Sequence, residues 1–306
     1  MNSTNHAGNW RAAVITGAST GIGEACALRL DARGWRVYAG VRNQRDADAL
    51  RAKASPRLVP LMIDVTDEAS IASAASQVER ELGSGRGLAG LVNNAGIAIG
   101  GPLEFMPIGD LRKQLEVNVI GQVAATQAFL PLIRQARGRI VNMGSIGGRL
   151  ATGFFGPYNA SKFALEAITD ALRQELRPWG IDVAIIEPGS IATPIWEKGI
   201  ADARERERAL SARAAGLYKP YADAMIAKAD EMGGRGIAPD EVAKAVEHAL
   251  VSKRPKTRYI VGRDAQLQAV AARVVPDRLM DRVVASQMGL PSQAPEDVAE
   301  REGVGV

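Results

Sequence analysis

Short apolar runs alternate with longer segments of helical spacing along most of the chain. Residues 11–16, 35–41, 58–63, 88–92, 139–143 and 182–186 have the length and aliphatic content of strands. Between them, 21–33, 47–54, 67–82, 108–133 and 158–176 carry helical periodicity. Gly34 follows the first of these helices, and Thr66 and Asp67 mark the start of the third. Strands and helices that alternate in this way predict an α/β fold, a doubly wound parallel sheet with helices on both faces. The strands are apolar throughout rather than alternating, as burial on both faces requires.

After Pro188 the pattern changes. Residues 193–236 are helical but charged, and the Arg/Glu-rich run from Arg204 to Arg213 predicts a solvated helix face. Residues 239–251 read as a helix, 259–261 as a last strand, 265–288 as a helix, and 289–306 as a loose acidic tail. There is no internal repeat and no linker between two cores. One domain over 1–306 is expected, with a disordered polar start at 1–10 and a C-terminal extension and tail over 263–306.

Composition narrows the chemistry. With 46% hydrophobic residues, the chain can bury a sizeable core. The net charge of +4 is spread among acids, which gives little support to nucleic-acid binding. Cys26 is the only cysteine, and His6 and His248 are the only histidines. A Cys/His zinc site and a Ser-His-Asp triad are therefore excluded. Acid–base work near neutral pH falls to Tyr, Lys, Asp or Glu. No apolar run reaches membrane-span length, and the polar start lacks the centre of a signal peptide, so a cytoplasmic protein is expected.

Between the first strand and the first helix lies Thr16-Gly17-Ala18-Ser19-Thr20-Gly21-Ile22-Gly23. Glycines let backbone approach a pyrophosphate, and the following helix points free N–H groups and a positive dipole end at it. This predicts the Rossmann arrangement; the alternative is a plain glycine-rich turn. The end of the second strand selects the nucleotide. An acid there would bind the ribose hydroxyls and repel a 2′-phosphate, but Val41 holds that place and Arg42 follows. Arginine pairs with phosphate in bidentate fashion, so NADP(H) is expected over NAD(H), with NAD(H) use still possible. The alternative is an exposed surface arginine. Asp64, at the end of the third strand, would accept from the adenine amino group or serve the next helix as a cap.

Tyr158 and Lys162 stand four apart at the start of a helix and share one face. A free tyrosine, with a pKa of about 10, is a poor base at neutral pH. A neighbouring ammonium favours the phenolate, so Tyr158 would take a proton from an alcohol or give one to a developing alkoxide. Ser145, just after the fifth strand, would hold the substrate oxygen. The spacing alone proves little; its position, at the carboxyl edge of the sheet, gives it weight.

These stretches, in this order, resemble the single-domain branch of the short-chain dehydrogenase/reductase family. Those that carry the resemblance are residues 16–23, Asp64-Val65, the Asn-Asn-Ala-Gly run at 93–96, Asn118, Ser145, the Tyr-Asn-Ala-Ser-Lys run at 158–162, and the Pro-Gly-Ser-Ile-Ala-Thr run at 188–193. They span about residues 10 to 195. The resemblance implies that Asn118 completes a tetrad with Ser145, Tyr158 and Lys162, opening its helix locally to hold a water that relays protons from Lys162. It implies that Val65 binds the cofactor and that Asn94, Ala95 and Gly96 line the adenine-ribose side by backbone contacts. Lys162 would bind the nicotinamide ribose, and Pro188, Gly189, Ile191 and Thr193 the carboxamide. Many NADP(H) members carry a basic residue where this chain has Thr20, so the NADP(H) expectation rests on Arg42.

Residues 194–236 would form a helical substrate lid. Ile195, Trp196, Leu210, Leu217, Tyr218, Tyr221 and Met225 would give it an apolar inner side, with Leu150, Phe154 and Phe155 facing the same space. The run from Leu88 to Thr193 is most similar to hydroxysteroid and retinol dehydrogenases, which implies a steroid, retinoid or lipid-like substrate. A reductase of 3-ketoacyl thioesters is the alternative within the family, and a non-catalytic NADP(H)-sensing protein the alternative outside enzymes. Family members assemble as dimers or tetramers; the C-terminal extension favours a homodimer.

Overall fold

The structure, a computed structural model, describes residues 11–208 and 210–290. The expected loose start at 1–10 and the tail beyond 290 lie outside the described residues. Within them are strands β1 (Ala12–Ile15), β2 (Arg36–Val41), β3 (Leu58–Met62), β4 (Gly90–Asn93), β5 (Arg139–Met143), β6 (Asp182–Pro188) and β7 (Arg258–Val261). They form one parallel sheet in the order β3-β2-β1-β4-β5-β6-β7. The helices are α1 (Gly21–Ala32), α2 (Gln44–Arg51), α3 (Glu68–Leu82), α4 (Ile108–Leu115), α5 (Gly121–Ala136), α6 (Gly156–Leu176), α7 (Pro194–Arg208), α8 (Ala212–Arg235), α9 (Pro239–Val251), α10 (Arg263–Val274) and α11 (Asp277–Gln287). The doubly wound sheet expected from the pattern is the one observed.

Successive strand residues feed opposite faces. Ala13 and Ile15 pack with Leu30 of α1 and Val246 of α9. Ala12 and Val14 pack with Ile71 of α3 and Phe129 of α5. All four residues of β1 are therefore buried, and water reaches neither face of this interior strand. Each fully buried Val, Leu, Ile or Phe side chain contributes about 1.5–3 kcal/mol, so these two layers are the main stabilising feature of the fold.

Four expectations change. The single helix expected over 108–133 is interrupted by a π-helical turn, Glu116–Ile120, that holds Asn118. The helical stretch at 193–236 is two helices, with the Ser211 hydroxyl accepting from Ala214 N–H to start α8. The helix expected over 265–288 breaks before Pro276, whose ring and missing N–H oppose continuation. Thr66 does not cap α3: Asp67 does, and the Thr66 hydroxyl donates to Asp64 instead. Among the described residues no helix is long and apolar enough to cross a membrane.

The helices that carry the site are keyed to the sheet by a buried polar ladder. The Asn93 amide at the end of β4 donates to Thr126 Oγ1 of α5 (2.8 Å) and to Asn142 Oδ1 of β5 (2.9 Å). The Asn142 amide donates to Thr169 Oγ1 of α6 (2.9 Å), and both threonine hydroxyls donate back to carbonyls one helical turn earlier. All four side chains are buried. Breaking such a ladder strands polar groups away from water, at about 1–3 kcal/mol each. Asn142→Ala is expected to lower unfolding stability by about 1–3 kcal/mol in urea titrations followed by circular dichroism; an unchanged midpoint would show that the ladder does not hold α6.

Candidate active site

The chain leaves β1 through a left-handed turn at Gly17, with φ +65°. A Cβ at Gly17 would lie 2.8 Å from Ala95 Cα, and one at Gly23 would lie 2.2 Å from the Gly17 carbonyl oxygen. Side chains at these two places would force the loop open. Asn94 holds it shut: its amide donates to the carbonyls of Thr16 (3.0 Å) and Gly17 (2.9 Å). The Thr16 hydroxyl in turn accepts the N–H groups of Asn94 and Ala95, both at 3.0 Å. Sequence reading gave Asn94 only a place along the adenine-ribose side. The adjacent Asn93 and Asn94 at a strand end were the available signal, since neighbours there point to opposite sides.

The loop and the N-terminus of α1 form one wall of a cleft of about 590 Å³ along the carboxyl edge of the sheet. Every residue expected to bind the dinucleotide, from Gly17 of the loop to Thr193 after β6, lines this cleft. The tight glycine cradle and the free N–H end of α1 fit a pyrophosphate. Arg42 is exposed at the rim, where β2 ends. Burial alone would raise the Asp64 carboxyl, but hydrogen bonds from the Thr66 N–H and hydroxyl outweigh it. With Arg42's charge, they hold Asp64 below the usual carboxylate range. Arg112, Lys113 and Lys198 also line the cleft. They belong to no motif, and only the folding of α4 and α7 over the cleft brings them there.

Asn118, Ser145, Tyr158 and Lys162 are brought into one region by the π turn, the end of β5 and the first turns of α6. The half-buried Tyr158 phenol is pushed above its ordinary pKa by burial, and the neighbouring Ser145 hydroxyl pulls it back in part. The protein alone thus keeps Tyr158 a neutral phenol, although the Tyr-Lys spacing led to the expectation of a favoured phenolate. Lys162 is 5% exposed; its ammonium donates to the Met143 carbonyl at 2.7 Å and stands 5.7 Å from the Tyr158 ring centre. Burial lowers its pKa to about 8, against the opposing pull of Glu166 one turn below. The Glu166 carboxyl is itself raised to about 7 by burial and by Glu187, while Arg258 and Arg149 oppose the rise. The Asn118 side chain is committed elsewhere: it accepts from Ile97 N–H (2.9 Å) and donates to Ile97 O (3.0 Å) and Ser161 Oγ (3.1 Å).

A second, mostly apolar cavity of about 340 Å³ adjoins the cleft and shares Ser145, Tyr158, Gly189, Ile195 and Trp196 with it. Leu150, Phe154, Phe155, Leu210 and Met225 line it as expected. Leu217, Tyr218 and Tyr221 do not. The rings of Tyr218 and Tyr221 pack behind Phe154, both at 6.0 Å, and Tyr218 donates to Glu104. Phe154 sits at φ +66°, a costly conformation for a bulky residue that these ring contacts hold in place. Sequence reading missed Phe105 and Met106 before α4 and Val284, Gln287 and Met288 at the end of the chain's described part. The C-terminal extension thus contributes a wall of this cavity.

The family model for short chain dehydrogenases matches residues 11–204. Retinol dehydrogenase 5 of Homo sapiens is 40% identical over 291 residues, which cover 92% of this chain and 89% of that protein. The NADPH-dependent 3-dehydrocapnine reductase of Ornithobacterium rhinotracheale is 36% identical over 286 residues, 89% of this chain and 95% of its own. A crystal structure of a short chain dehydrogenase from Burkholderia cenocepacia in complex with NADP matches with a TM-score of 0.67 at 28% identity, covering 92% of this chain and 98% of that one. With the sheet order, the glycine loop and the Ser-Tyr-Lys arrangement, these likenesses place the chain in the short-chain dehydrogenase/reductase family, as an oxidoreductase of CH–OH and C=O groups.

Proposed function

We propose that this protein interconverts a carbonyl and an alcohol on a hydrophobic, lipid-like substrate, with NADP(H) as its cofactor. The observation that carries the reading is the meeting of two spaces at Ser145 and Tyr158: a polar cleft sized for a dinucleotide and an apolar cavity beside it. A concave apolar site with few polar anchors suits a hydrophobic ketone or aldehyde. Arg42 at the end of β2 supports the phosphorylated cofactor, as do the NADP of the Burkholderia structure and the NADPH of the bacterial reductase. A retinol dehydrogenase among the relatives supports a lipid-like substrate.

In this reading the Gly17–Gly23 loop holds the pyrophosphate, Arg42 the 2′-phosphate, and Asp64 the adenine amino group. Val65, Asn94, Ala95 and Gly96 flank the adenosine, while Lys162, Pro188, Gly189, Ile191 and Thr193 hold the nicotinamide half. NADPH, when bound, supplies the hydride for reduction. The Ser145 hydroxyl donates to the substrate oxygen and fixes its position. Tyr158, a neutral phenol in its buried setting, donates its proton as negative charge develops on that oxygen. The Lys162 ammonium stabilises the phenolate left behind. The π turn at Asn118 is the local opening through which a water would return a proton toward Lys162.

Turnover of apolar ketones and aldehydes with NADPH tests the reading. Tyr158→Phe is expected to lower kcat by about 100-fold or more while the cofactor still binds. Arg42→Ala is expected to lower kcat/KM for NADPH about tenfold or more with little effect on NADH. Turnover with NADH alone, or full activity of Tyr158→Phe, would overturn the assignment.

The pH profile tests Lys162. The ammonium is the working form, so activity is expected to fall as pH rises through about 8. Glu166 favours the ammonium, so Glu166→Gln lowers the Lys162 pKa further and moves that alkaline limb to lower pH. A limb that stays in place or moves upward would contradict the assignment.

A further inference from the structure

Helix α7 turns one arginine inward from a run whose sequence predicts a solvated face. Arg204 and Arg208 are exposed, but Arg206 lines the apolar cavity. Its Nε and Nη2 are shielded from solvent and donate to none of the described residues. Its Nη1 makes an ion pair with Asp110 at 3.8 Å, too long for a hydrogen bond, so it is the Nε–Nη2 edge that is left without an acceptor. Among the described residues that line this cavity, Arg206 is the only arginine or lysine. Two acids line it too, and both have partners: Lys219 donates to Glu207 at 2.7 Å, and the Ser190 N–H donates to Asp264 at 3.0 Å.

Nε–H and one Nη2–H lie along the same edge of the guanidinium plane. That edge is the fork that receives two oxygens of an oxoanion side by side. Buried donors of a charged group without acceptors are costly, and the cost is offset when an anion supplies them. A purely apolar ligand would leave the fork unpaired.

We propose that Arg206 binds an anionic head group of the substrate. The substrate is then a long apolar chain with its carbonyl or alcohol at Ser145 and Tyr158 and an oxoanion (carboxylate, sulfonate or phosphate) on the Nε–Nη2 edge. This rests on the reading of the apolar cavity as the substrate site. It narrows that reading from hydrophobic compounds in general to acidic amphiphiles.

The probes are a graded series of ω-oxo fatty acids, with an aldehyde at one end and a carboxylate at the other, and their methyl esters. Wild-type protein with NADPH is expected to favour the acid, most strongly at the chain length that spans Tyr158 to Arg206. Arg206→Gln is expected to lower the acid-to-ester ratio of kcat/KM by about tenfold to a hundredfold, with Arg206→Lys between the two. Arg204→Gln, on the exposed face, leaves the ratio unchanged. Calorimetric binding of medium-chain alkyl carboxylates, sulfonates and phosphates in the presence of NADP⁺ ranks the head groups without turnover, and melting temperatures confirm that the variants fold. A ratio unchanged in Arg206→Gln, equal losses on acid and ester, or no binding of any alkyl oxoanion would overturn the proposal. Alkyl anions that bind through Arg206 with no turnover of any probe would sustain the anion site and sink the reductase reading instead.

Discussion

The arrangement at the carboxyl edge depends on one buried contact, the ammonium of Lys162 donating to the Met143 carbonyl. Met143 closes β5, and Ser145 follows two residues later; Tyr158 lies one helical turn before Lys162. This hydrogen bond therefore fixes the start of α6 against the end of β5 and sets phenol and serine hydroxyl side by side. A buried lysine without an acceptor would lose its proton or swing toward water. Here the acceptor is main chain, which keeps the charge in place while burial brings its pKa down to about 8. The contact thus serves packing and chemistry together.

Two sets of polar groups keep that contact in register. On one side of the sheet the Asn93–Thr126–Asn142–Thr169 ladder ties β4 and β5 to α5 and α6. Below Lys162, Glu166 and Asp170 on α6 pair with Arg258 of β7, and the fully buried Glu187 of β6 pairs with Arg149. These charges join α6 to the two strands beyond β5. They also set the field at Lys162, since Glu166 is the acid that opposes its loss of charge. The same pattern recurs at the nucleotide end, where Asn94 and Thr16 fasten the glycine loop to the end of β4. Side-chain amides and hydroxyls carry the precision of the site, while the apolar layers supply its stability.

The fold was legible because its strands are buried on both faces and read as unbroken apolar runs. The glycine loop, Tyr158 and Lys162 were legible because their chemistry depends on short spacings along one chain segment. What escaped depends on contacts between distant segments. Nothing local distinguishes Arg206 from Arg204 and Arg208, and only the packing of α7 decides which arginine turns inward. Tyr218 and Tyr221 have the right composition for a cavity wall, but Phe154 stands between. The lowered pKa expected for Tyr158 from its spacing to Lys162 did not allow for burial, which acts on the phenol in the opposite direction. The Asn118 break was visible only through family resemblance, because the π turn sits inside a helical pattern that continues on both sides.

In the proposed function the two spaces that meet at Tyr158 serve hydride transfer to a carbonyl. The most direct measurement follows the atom itself. NADPH carrying deuterium at its transferable position is incubated with the protein and an apolar aldehyde, and the product is examined by mass spectrometry and NMR. Hydride transfer predicts an alcohol with deuterium on the carbinol carbon. An alcohol without that deuterium would rule out hydride transfer from the cofactor, as would unreacted aldehyde across a panel of carbonyl compounds that demonstrably bind the cavity.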